Sequence, residues 1–505
     1  MINAPTPTSG EPHASSRRPG PVTAAATAAL LFALAGCAVG PDVTPTDLAL
    51  PSHWHGAGAA KPTTEAVLGE WWRDLKDPLL DELVAEAVVG NLDVATAGAK
   101  IREARALHRQ AVGALLPSLD GSGSGVRRQT VSSTTGRTGV GSLFQAGLDA
   151  SWEIDLFGAN RRTADAAQAN VAASENDLDS TLLTLVGDVA TDYAELRGYQ
   201  ARIDLARRTA RSQRETAALT RTKFEAGSAS AVDTAKAEAT AASTEATIPT
   251  LETAVAEAIH RLSILTGRDP GALDARLRKG GAIPVPRRAL PTGVPAEVLR
   301  NRPDVRAAER RVVQYTAKLA ASEAALYPSI SLTGSISTSA VRPGDLAKAS
   351  TIAWSWGPSV SIPIFEGGRL VAARDAAAAV RDEQLLAYRS TVLTALEDVE
   401  NALVAGAREK VRTAKLAAAV TSWRRAASLS RSLYTTGSSS FLDVLDADRS
   451  LFSAEDSLIQ SRVALVSDHV ALAKALGGGW TRPLDTTAPA VVDPSPGPRL
   501  AGAGR

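Results

Sequence analysis

The decisive stretch of the chain reads Thr351-Ile-Ala-Trp-Ser-Trp-Gly-Pro-Ser-Val-Ser-Ile-Pro-Ile364. Its large apolar side chains all fall on even positions, whereas the odd positions carry mostly serine, threonine and glycine. A period of two is that of a β-strand, because successive side chains of a strand point to opposite faces. The stretch therefore predicts a strand with one apolar face and one polar face.

Three other stretches have a related pattern. Residues 329–337 alternate isoleucine and leucine with serine and threonine, and residues 144–156 alternate apolar side chains with Asp149, Glu153 and Asp155. Residues 117–129 are rich in glycine and serine and are only weakly patterned. Runs of at least about nine residues suit a tilted membrane-spanning strand, because strands of soluble sheets usually have about five or six. The side chains that we expect to face lipid are Trp152, Trp354, Trp356 and Ile362.

Four strands are too few to close a barrel, and an open sheet edge is not tolerated in lipid. A chain with four such strands must therefore oligomerise in order to span a membrane. On the pattern alone, a dimer with about eight strands and a trimer with about twelve both remain open.

Two proline-free stretches, residues 161–226 and 368–436, predict long helices. Sixty helical residues would run about 90 Å, which is too long for an ordinary globular domain. Each stretch ends at a glycine, Gly227 or Gly437, and an alanine-rich return helix follows, so we predict two helical hairpins. The apolar stripes are Leu182, Leu185, Val189, Tyr193 and Leu196 in the first helix and Leu393, Leu396, Val399 and Leu403 in the second.

The chain repeats itself once, at an offset of about 210 residues. Arg221-Thr-Lys-Phe-Glu-Ala-Gly227 corresponds to Arg431-Ser-Leu-Tyr-Thr-Thr-Gly437, and Asp233 corresponds to Asp443. Two tandem units joined by a proline-rich linker are therefore predicted. The expected boundaries are a signal peptide at 1–36, a lipidated segment at 37–74, the first repeat at 75–280, the linker at 281–291, the second repeat at 292–480 and a disordered tail at 481–505.

Charge and cysteine content narrow the function further. With 55 Lys and Arg against 54 Asp and Glu, the net charge of +1 argues against electrostatic binding of nucleic acid. The single cysteine, Cys37, excludes an intramolecular disulfide and follows an apolar run that ends in Leu34-Ala-Gly36. This arrangement resembles a bacterial lipobox and predicts that Cys37 is acylated. Because Ala38 stands where an Asp would retain a lipoprotein in the inner membrane, the expected destination is the outer membrane.

No catalytic motif is visible in the sequence. It contains neither a phosphate-binding glycine loop nor a nucleophile elbow. His53 and His55 flank Trp54 without a cysteine or carboxylate cluster beside them, so we interpret this segment as surface. We expect no metal site, no cofactor and no enzymatic activity.

Several motifs point to one family. They are the lipobox, Gly40-Pro-Asp42, Trp71-Trp72, Asp155-Leu-Phe-Gly158, Asn301-Arg-Pro-Asp-Val305, Tyr327-Pro-Ser329, Pro363-Ile-Phe-Glu-Gly-Gly-Arg369 and Leu442-Asp-Val-Leu-Asp-Ala447. Together they resemble the outer-membrane factor family of efflux lipoproteins, the TolC-like exit ducts of resistance-nodulation-division pumps, in the branch often labelled NodT. The likeness extends over roughly residues 37–480.

The resemblance implies a mostly α-helical chain that contributes four strands to a trimeric, twelve-stranded β-barrel in the outer membrane. It also implies a helical tunnel in the periplasm, which docks through its tip to a periplasmic adaptor and an inner-membrane pump. The implied function is passive export of drugs, toxic compounds or metal ions. A lipid-anchored coiled-coil scaffold without a pore is the alternative, although it leaves the long two-faced strands unexplained; an exported hydrolase is a more distant one.

The resemblance also implies a periplasmic gate. In the family, the residues that match Leu442 and Asp446 form constriction rings, and those that match Tyr434 and Arg449 tie neighbouring helices shut. Leu442, Asp446 and Arg449 would share one helix face, because they are four and three residues apart. The local alternative is that Asp446 caps the helix and Arg449 forms a surface ion pair. We assign Asp233 and Asp443 to capping beside the turns at Gly227 and Gly437.

Overall fold

The computed structural model describes residues 39–41, 50–55, 69–131, 136–286, 288–479 and 484–487. The predicted signal peptide, Cys37 and most of the predicted tail lie outside the described residues.

The secondary structure alternates pairs of helices with pairs of strands. In chain order the elements are α1 (Pro78–Gly90), α2 (Leu92–Gly113), β1 (Ser118–Val131), β2 (Thr138–Ile154), α3 (Ala159–Glu225), α4 (Ala231–Leu265), α5 (Asp274–Leu277), α6 (Pro295–Asn301), α7 (Pro303–Ala324), β3 (Ser329–Ala340), β4 (Ile352–Ser361), α8 (Arg369–Thr436) and α9 (Phe441–Ala475). Short 3₁₀ helices lie at Trp71–Leu75, Pro343–Asp345 and Ala349–Thr351. The series α1–α2–β1–β2–α3–α4 recurs as α6–α7–β3–β4–α8–α9. A mostly helical chain with four strands and a two-fold internal repeat is thus confirmed.

The four strands lie in one of two compact units of the chain, which includes residues 111–164 and 317–377. They form one antiparallel sheet in the order β1-β2-β3-β4, with lengths of 14, 17, 12 and 10 residues. The prediction of four strands of at least nine residues is confirmed. β1, which is weakly patterned, is the second longest, and Asp120 in it pairs with Asp149 of β2.

The register puts the apolar side chains of different strands on one face. Leu148 of β2 lies opposite Ile336 of β3, which lies opposite Trp354 of β4. The other face is polar, and there Ser335 and Ser355 are paired with their hydroxyl oxygens 3.0 Å apart. The apolar face extends into β1 through glycines, because Gly121 is opposite Leu148 and Gly125 opposite Phe144. A two-faced sheet therefore forms even where the sequence of β1 shows little alternation.

The strand predicted within residues 351–364 extends too far at its C-terminal end, which contains Ile362. β4 ends at Ser361, which pairs with Ser329, the first residue of β3. The neighbouring strand thus offers no further partner, and Pro363 has no N–H for a ladder. Ile362 lies one residue beyond the strand and is 60% exposed.

The described residues of the second unit, among them those within 165–316 and 378–479, form helices around one large core. Trp71 and Trp72 lie in this core with their rings in an edge-to-face arrangement, 6.0 Å between centroids. The hydroxyl of Tyr193 donates a 2.7 Å hydrogen bond to Asp77, whose carboxylate also accepts from the backbone N–H at the start of α1. The apolar stripe predicted for α3 is buried along its whole length; its members are Leu182, Leu185, Val189, Tyr193 and Leu196.

The stripe predicted for α8 is wrong at its first position. Leu393 is 67% exposed, and the fully buried residues on this helix face are Val392, Ala395, Val399 and Ala402, of which only Val399 belongs to the predicted stripe. Val392 and Ala395 pack against Leu299 and Val305 of α6 and α7. Because alanine lets helices approach closely, the buried face follows small side chains, which an alanine-rich sequence does not distinguish from exposed ones.

Among the described residues, no helix has both the length and the apolar character needed to cross a membrane.

Candidate functional site at the hairpin tips

The two hairpin turns have the same backbone construction. Gly227 and Gly437 take left-handed φ values of +74° and +81°. After each glycine, the next N–H reaches back to a carbonyl of the last helical turn, from Ser228 to Lys223 and from Ser438 to Leu433, at 2.8 Å in both cases. This is the Schellman arrangement, which favours glycine because a Cβ is strained at positive φ.

Each return helix starts with a capping box. The Ser230 hydroxyl accepts from the backbone N–H of Asp233, and the Asp233 carboxylate accepts from the backbone N–H of Ser230. Ser440 and Asp443 make the same reciprocal bonds at the start of α9. The prediction that Asp233 and Asp443 cap the return helices is confirmed.

Ion pairs join the two helices of each hairpin at equivalent positions. Arg214 pairs with Glu245 in the first hairpin and Arg424 with Glu455 in the second. Nearer the turns, Arg221 pairs with Glu238 at 2.8 Å, and Arg431 binds both oxygens of Asp448 at 2.9 and 3.1 Å. The Arg221–Glu238 pair is exposed, whereas Asp448 is almost completely buried. Burial raises the pKa of Asp448 and outweighs the opposing effect of Arg431.

The second tip contains a small hydrophobic core. Tyr434, Phe441, Val444 and Leu445 are buried together, and they pack against Ala217 of α3 and Ala237 of α4. The rings of Tyr434 and Phe441 are 5.9 Å apart between centroids. The two hairpins of one chain therefore touch through this cluster.

Tyr434 makes three contacts with Thr220 and Lys223 of the first hairpin. Its hydroxyl lies 3.1 Å from the Thr220 hydroxyl, to which it donates. The Lys223 ammonium lies over the ring, 4.8 Å from the centroid, and donates to the backbone carbonyl of Tyr434 at 2.7 Å. Lys223 thus completes the C-terminal cap of α8 from a different helix.

The other predicted gate residues lie on a separate face of α9. Leu442, Asp446 and Arg449 are all exposed. Within the described part of the chain, the side chains of Asp446 and Arg449 have no hydrogen-bond or ion-pair partner. The local alternative for Asp446 and Arg449 is not observed. Ser440 and Asp443 cap the helix, and Asp448 forms the ion pair between the two helices of the hairpin. The role of Leu442, Asp446 and Arg449 in a gate stays a prediction.

Three residues of this site were missed by the sequence reasoning, namely Thr220, Lys223 and Asp448. The repeat offers a signal for Asp448, because the offset that aligns Arg221 with Arg431 also aligns Glu238 with Asp448. No comparable signal exists for Thr220 and Lys223, since their contact with Tyr434 depends on how two hairpins pack.

The predicted lipid-facing tryptophans lie on the apolar face of the sheet. Trp354 and Trp356 of β4 are more than two-thirds exposed, and Trp152 of β2 is about one-third exposed. The indole N–H of Trp152 donates to the backbone carbonyl of Leu115 at 2.9 Å. Whether these side chains contact lipid stays a prediction.

The histidine segment is surface, apart from its tryptophan. His53 and His55 are exposed, whereas Trp54 is buried and donates to the carbonyls of Thr292 and Gly293 at 3.2 and 3.1 Å. In the described ranges, no three His, Cys, Asp or Glu side chains are grouped so that they could hold a metal ion.

Comparison with known proteins gives consistent matches. The family model described as outer membrane efflux protein matches residues 83–268 and again residues 294–478. Nodulation protein T of Rhizobium leguminosarum bv. trifolii is 36% identical over 455 residues, which are 88% of this chain and 95% of that protein. Toluene efflux pump outer membrane protein TtgF of Pseudomonas putida is 32% identical over 465 residues, or 90% and 96% of the two chains.

A solved structure agrees with these matches. The outer-membrane channel OprN superposes with a TM-score of 0.83 at 34% sequence identity. The alignment covers 88% of this chain and the whole of that one.

Proposed function

Because this chain belongs to the outer membrane efflux protein family, we propose that three copies of it form the outer-membrane exit channel of a tripartite efflux system. The channel conducts compounds from the periplasm to the exterior. Its partners are a periplasmic adaptor and an inner-membrane pump. The protein resides in the outer membrane and extends into the periplasm.

The observation that carries this proposal is the open, two-faced sheet. β1 pairs only with β2 and β4 only with β3 among the described strands, so 14 and 10 residues form the two free edges. Unpaired backbone groups cost several kcal/mol each in lipid, so both edges must be paired in the membrane. A β4 edge of one protomer against the β1 edge of the next closes a ring, and three copies give about twelve strands. The apolar face, with Trp354 and Trp356, then faces lipid, and the face with Asp149 lines water.

Transport through such a channel is passive. The pump supplies the energy, and the channel controls only opening. Proteins with similar sequences are named for toluene efflux and for nodulation. These names point to different processes, and we propose that cargo is selected by the pump rather than by this chain.

Paired substitutions on β4 test the orientation of the sheet. Trp354→Asp puts a carboxylate on the apolar face, which costs about 1 to 3 kcal/mol per chain depending on depth. Ser355→Asp, one residue along, puts it on the polar face and should be mild. We expect a lower yield of heat-modifiable trimer in the outer membrane for the first variant only. Equal yields would show that this strand is not in lipid.

Acylation of Cys37 is a separate part of the proposal, supported by the lipobox sequence Leu34-Ala-Gly36. Each buried methylene of an acyl chain contributes about 0.8 kcal/mol to membrane binding. Cys37→Ser should abolish the incorporation of labelled palmitate and retain part of the export activity, because the barrel also holds the protein in the membrane. Label in the Ser variant would refute acylation at this residue.

We also propose that the hairpin tips close the periplasmic end. Leu442 and Asp446 would form rings across the three copies, and Arg449 would pair between helices. Their exposure and their lack of partners within the described chain support this role, because an unpaired Asp and Arg on one helix face are available to a neighbouring protomer. Single-channel conductance in planar bilayers tests it, with variants that are described in the Discussion.

A further inference from the structure

The two hairpin tips bury different amounts of the same surface. At the second tip, Tyr434 is 5% exposed, whereas the equivalent Phe224 of the first tip is 45% exposed. The difference extends over a whole face. Five second-tip residues are buried, namely Tyr434, Phe441, Val444, Leu445 and Asp448. The first-tip residues that align with them are exposed or half-buried, and we call them the uncovered face: Phe224, Ala231, Thr234, Ala235 and Glu238.

The second tip owes its burial to the first hairpin. Leu219 packs against the buried cluster, and Thr220 and Lys223 contact Tyr434 directly. The second hairpin has residues at the equivalent positions, which we call the covering face: Leu429, Ser430 and Leu433. Within the chain this face covers nothing comparable, because Leu429 is 55% exposed and Leu433 is 48% exposed.

From this pattern we infer that the covering face of one protomer packs on the uncovered face of the next, with Leu433 lying over Phe224 as Lys223 lies over Tyr434. The partner is a second copy of this chain. In a ring of three copies each of the six hairpins then has both faces covered. The inference rests on the proposed trimer and adds the residues that join its protomers at the tip.

The chemistry of the two contacts supports this pairing. Within the chain, the ammonium of Lys223 is matched to a ring and a carbonyl of Tyr434, and the Tyr434 hydroxyl is matched to Thr220. Between chains, leucine replaces lysine and phenylalanine replaces tyrosine. The contact between chains thus has an apolar residue on both sides, although Phe224 and Leu433 belong to different hairpins. An apolar pair that is exposed in the single chain is what an interface between copies would bury.

The contact is head-to-tail, so it uses two different surfaces of each protomer. A single cysteine on either surface cannot cross-link to itself across such an interface. Cysteines at both positions can cross-link each protomer to its neighbour. This property separates the inferred contact from accidental proximity of identical residues.

The test is cross-linking of assembled protein in outer-membrane vesicles. The variant carries Phe224→Cys and Leu433→Cys, and the probe is a short bismaleimide. We expect dimers and trimers of the chain on a denaturing gel after heating. Each single variant and the protein with only Cys37 should give none. The matched control pairs Phe224→Cys with Ser428→Cys, because Ser428 is exposed and is not part of the covering face; its equivalent in the first hairpin, Ala218, is exposed too.

The outcomes separate this inference from the proposed function. Cross-linked oligomers from the first pair and not from the control support the contact. Only monomers on the heated gel, from protein that runs as a trimer when unheated, overturn the contact and leave the trimer intact. Equal cross-linking of both pairs also overturns it. Protein that runs as a monomer when unheated overturns the proposed trimer itself.

Discussion

The two hairpin tips have one backbone and two environments. Both turn at a left-handed glycine, and both begin the return helix with a Ser-Asp capping box. The side chains differ. At the first tip the Arg221–Glu238 pair and Phe224 are exposed, whereas at the second tip Asp448 and Tyr434 are buried.

This difference separates local causes from tertiary ones. The turn is fixed by residues within about ten positions of each other, so both repeats form it independently. Burial depends on which hairpin lies alongside, and only the second tip has a neighbour on that side within one chain. Equivalent positions of the two repeats therefore carry a solvent-exposed salt bridge in the first repeat and a desolvated one in the second.

The largest expected effect comes from removing the arginine of each pair. Arg431→Met keeps the aliphatic stem and leaves the Asp448 carboxylate buried without its partner, which costs about 2 kcal/mol. Arg221→Met removes an exposed pair, which is worth at most about 1 kcal/mol. Amide hydrogen exchange in the first turns of α9 and α4 measures both. In the unassembled chain we expect strong acceleration at the second tip and little at the first, whereas in the trimer, where the uncovered face is inferred to be buried, the two tips should be more alike.

Equal acceleration at the two tips of the unassembled chain would contradict the comparison. It would mean either that the first pair is already desolvated within one chain or that Asp448 is accessible to water. Glu238→Gln distinguishes these cases, because it changes exchange in the unassembled chain only if the first pair is buried there.

Features that depend on neighbouring residues could be predicted from the sequence, whereas features that depend on tertiary packing could not. Alternation at Trp354 and Trp356, the turn glycines and the capping aspartates depend on near neighbours, and all were predictable. The end of β4 depends on where β3 begins, so Ile362 was placed one residue too far. The buried face of α8 depends on close helix packing through Ala395, so Leu393 was misplaced. The contact of Lys223 with Tyr434 joins residues more than 200 positions apart and had no local signal.

The second prediction concerns the exposed face of α9. Asp446→Ala or Arg449→Ala should leave hydrogen exchange of the unassembled chain unchanged, because neither side chain has a partner within the described chain. If these residues close the tip between protomers, three lost contacts of about 1 kcal/mol shift the closed-to-open ratio by roughly a hundredfold. Planar bilayers should show higher conductance or more frequent opening.

Lys236 provides the control for that experiment, since it aligns with Asp446 at the first tip and is also exposed. Lys236→Ala should leave conductance near that of the wild type. Wild-type conductance in Asp446→Ala, Arg449→Ala and Tyr434→Phe alike would instead place the constriction elsewhere, with the first tip at 227–233 as the next candidate.

A smaller effect is expected at the contact between the hairpins. Lys223→Met preserves the stem but removes the ammonium that lies over Tyr434 and caps its carbonyl. The loss should be about 1 kcal/mol, measured as faster exchange in the last turn of α8. Lys236→Met removes the same charge from the first tip, where the ammonium has no hydrogen bond or ion pair with any described residue, so it should change nothing. A matching change in both variants would indicate a general effect of charge.

The smallest expected effect is a pH dependence confined to the second tip. Burial raises the pKa of Asp448 above its ordinary value, so the folded state binds this proton more tightly than the unfolded state does. The resulting stabilisation is present below the ordinary pKa near 3.8 and is lost as the pH rises through the raised one. Asp448→Asn removes this titration. Exchange in α9 of the wild type, taken relative to the Asn variant so that intrinsic rates cancel, should accelerate as the pH rises from 4 to 7. A ratio that stays constant with pH would show that Arg431 holds Asp448 charged throughout, and that the buried pair behaves like the exposed one at Arg221 and Glu238.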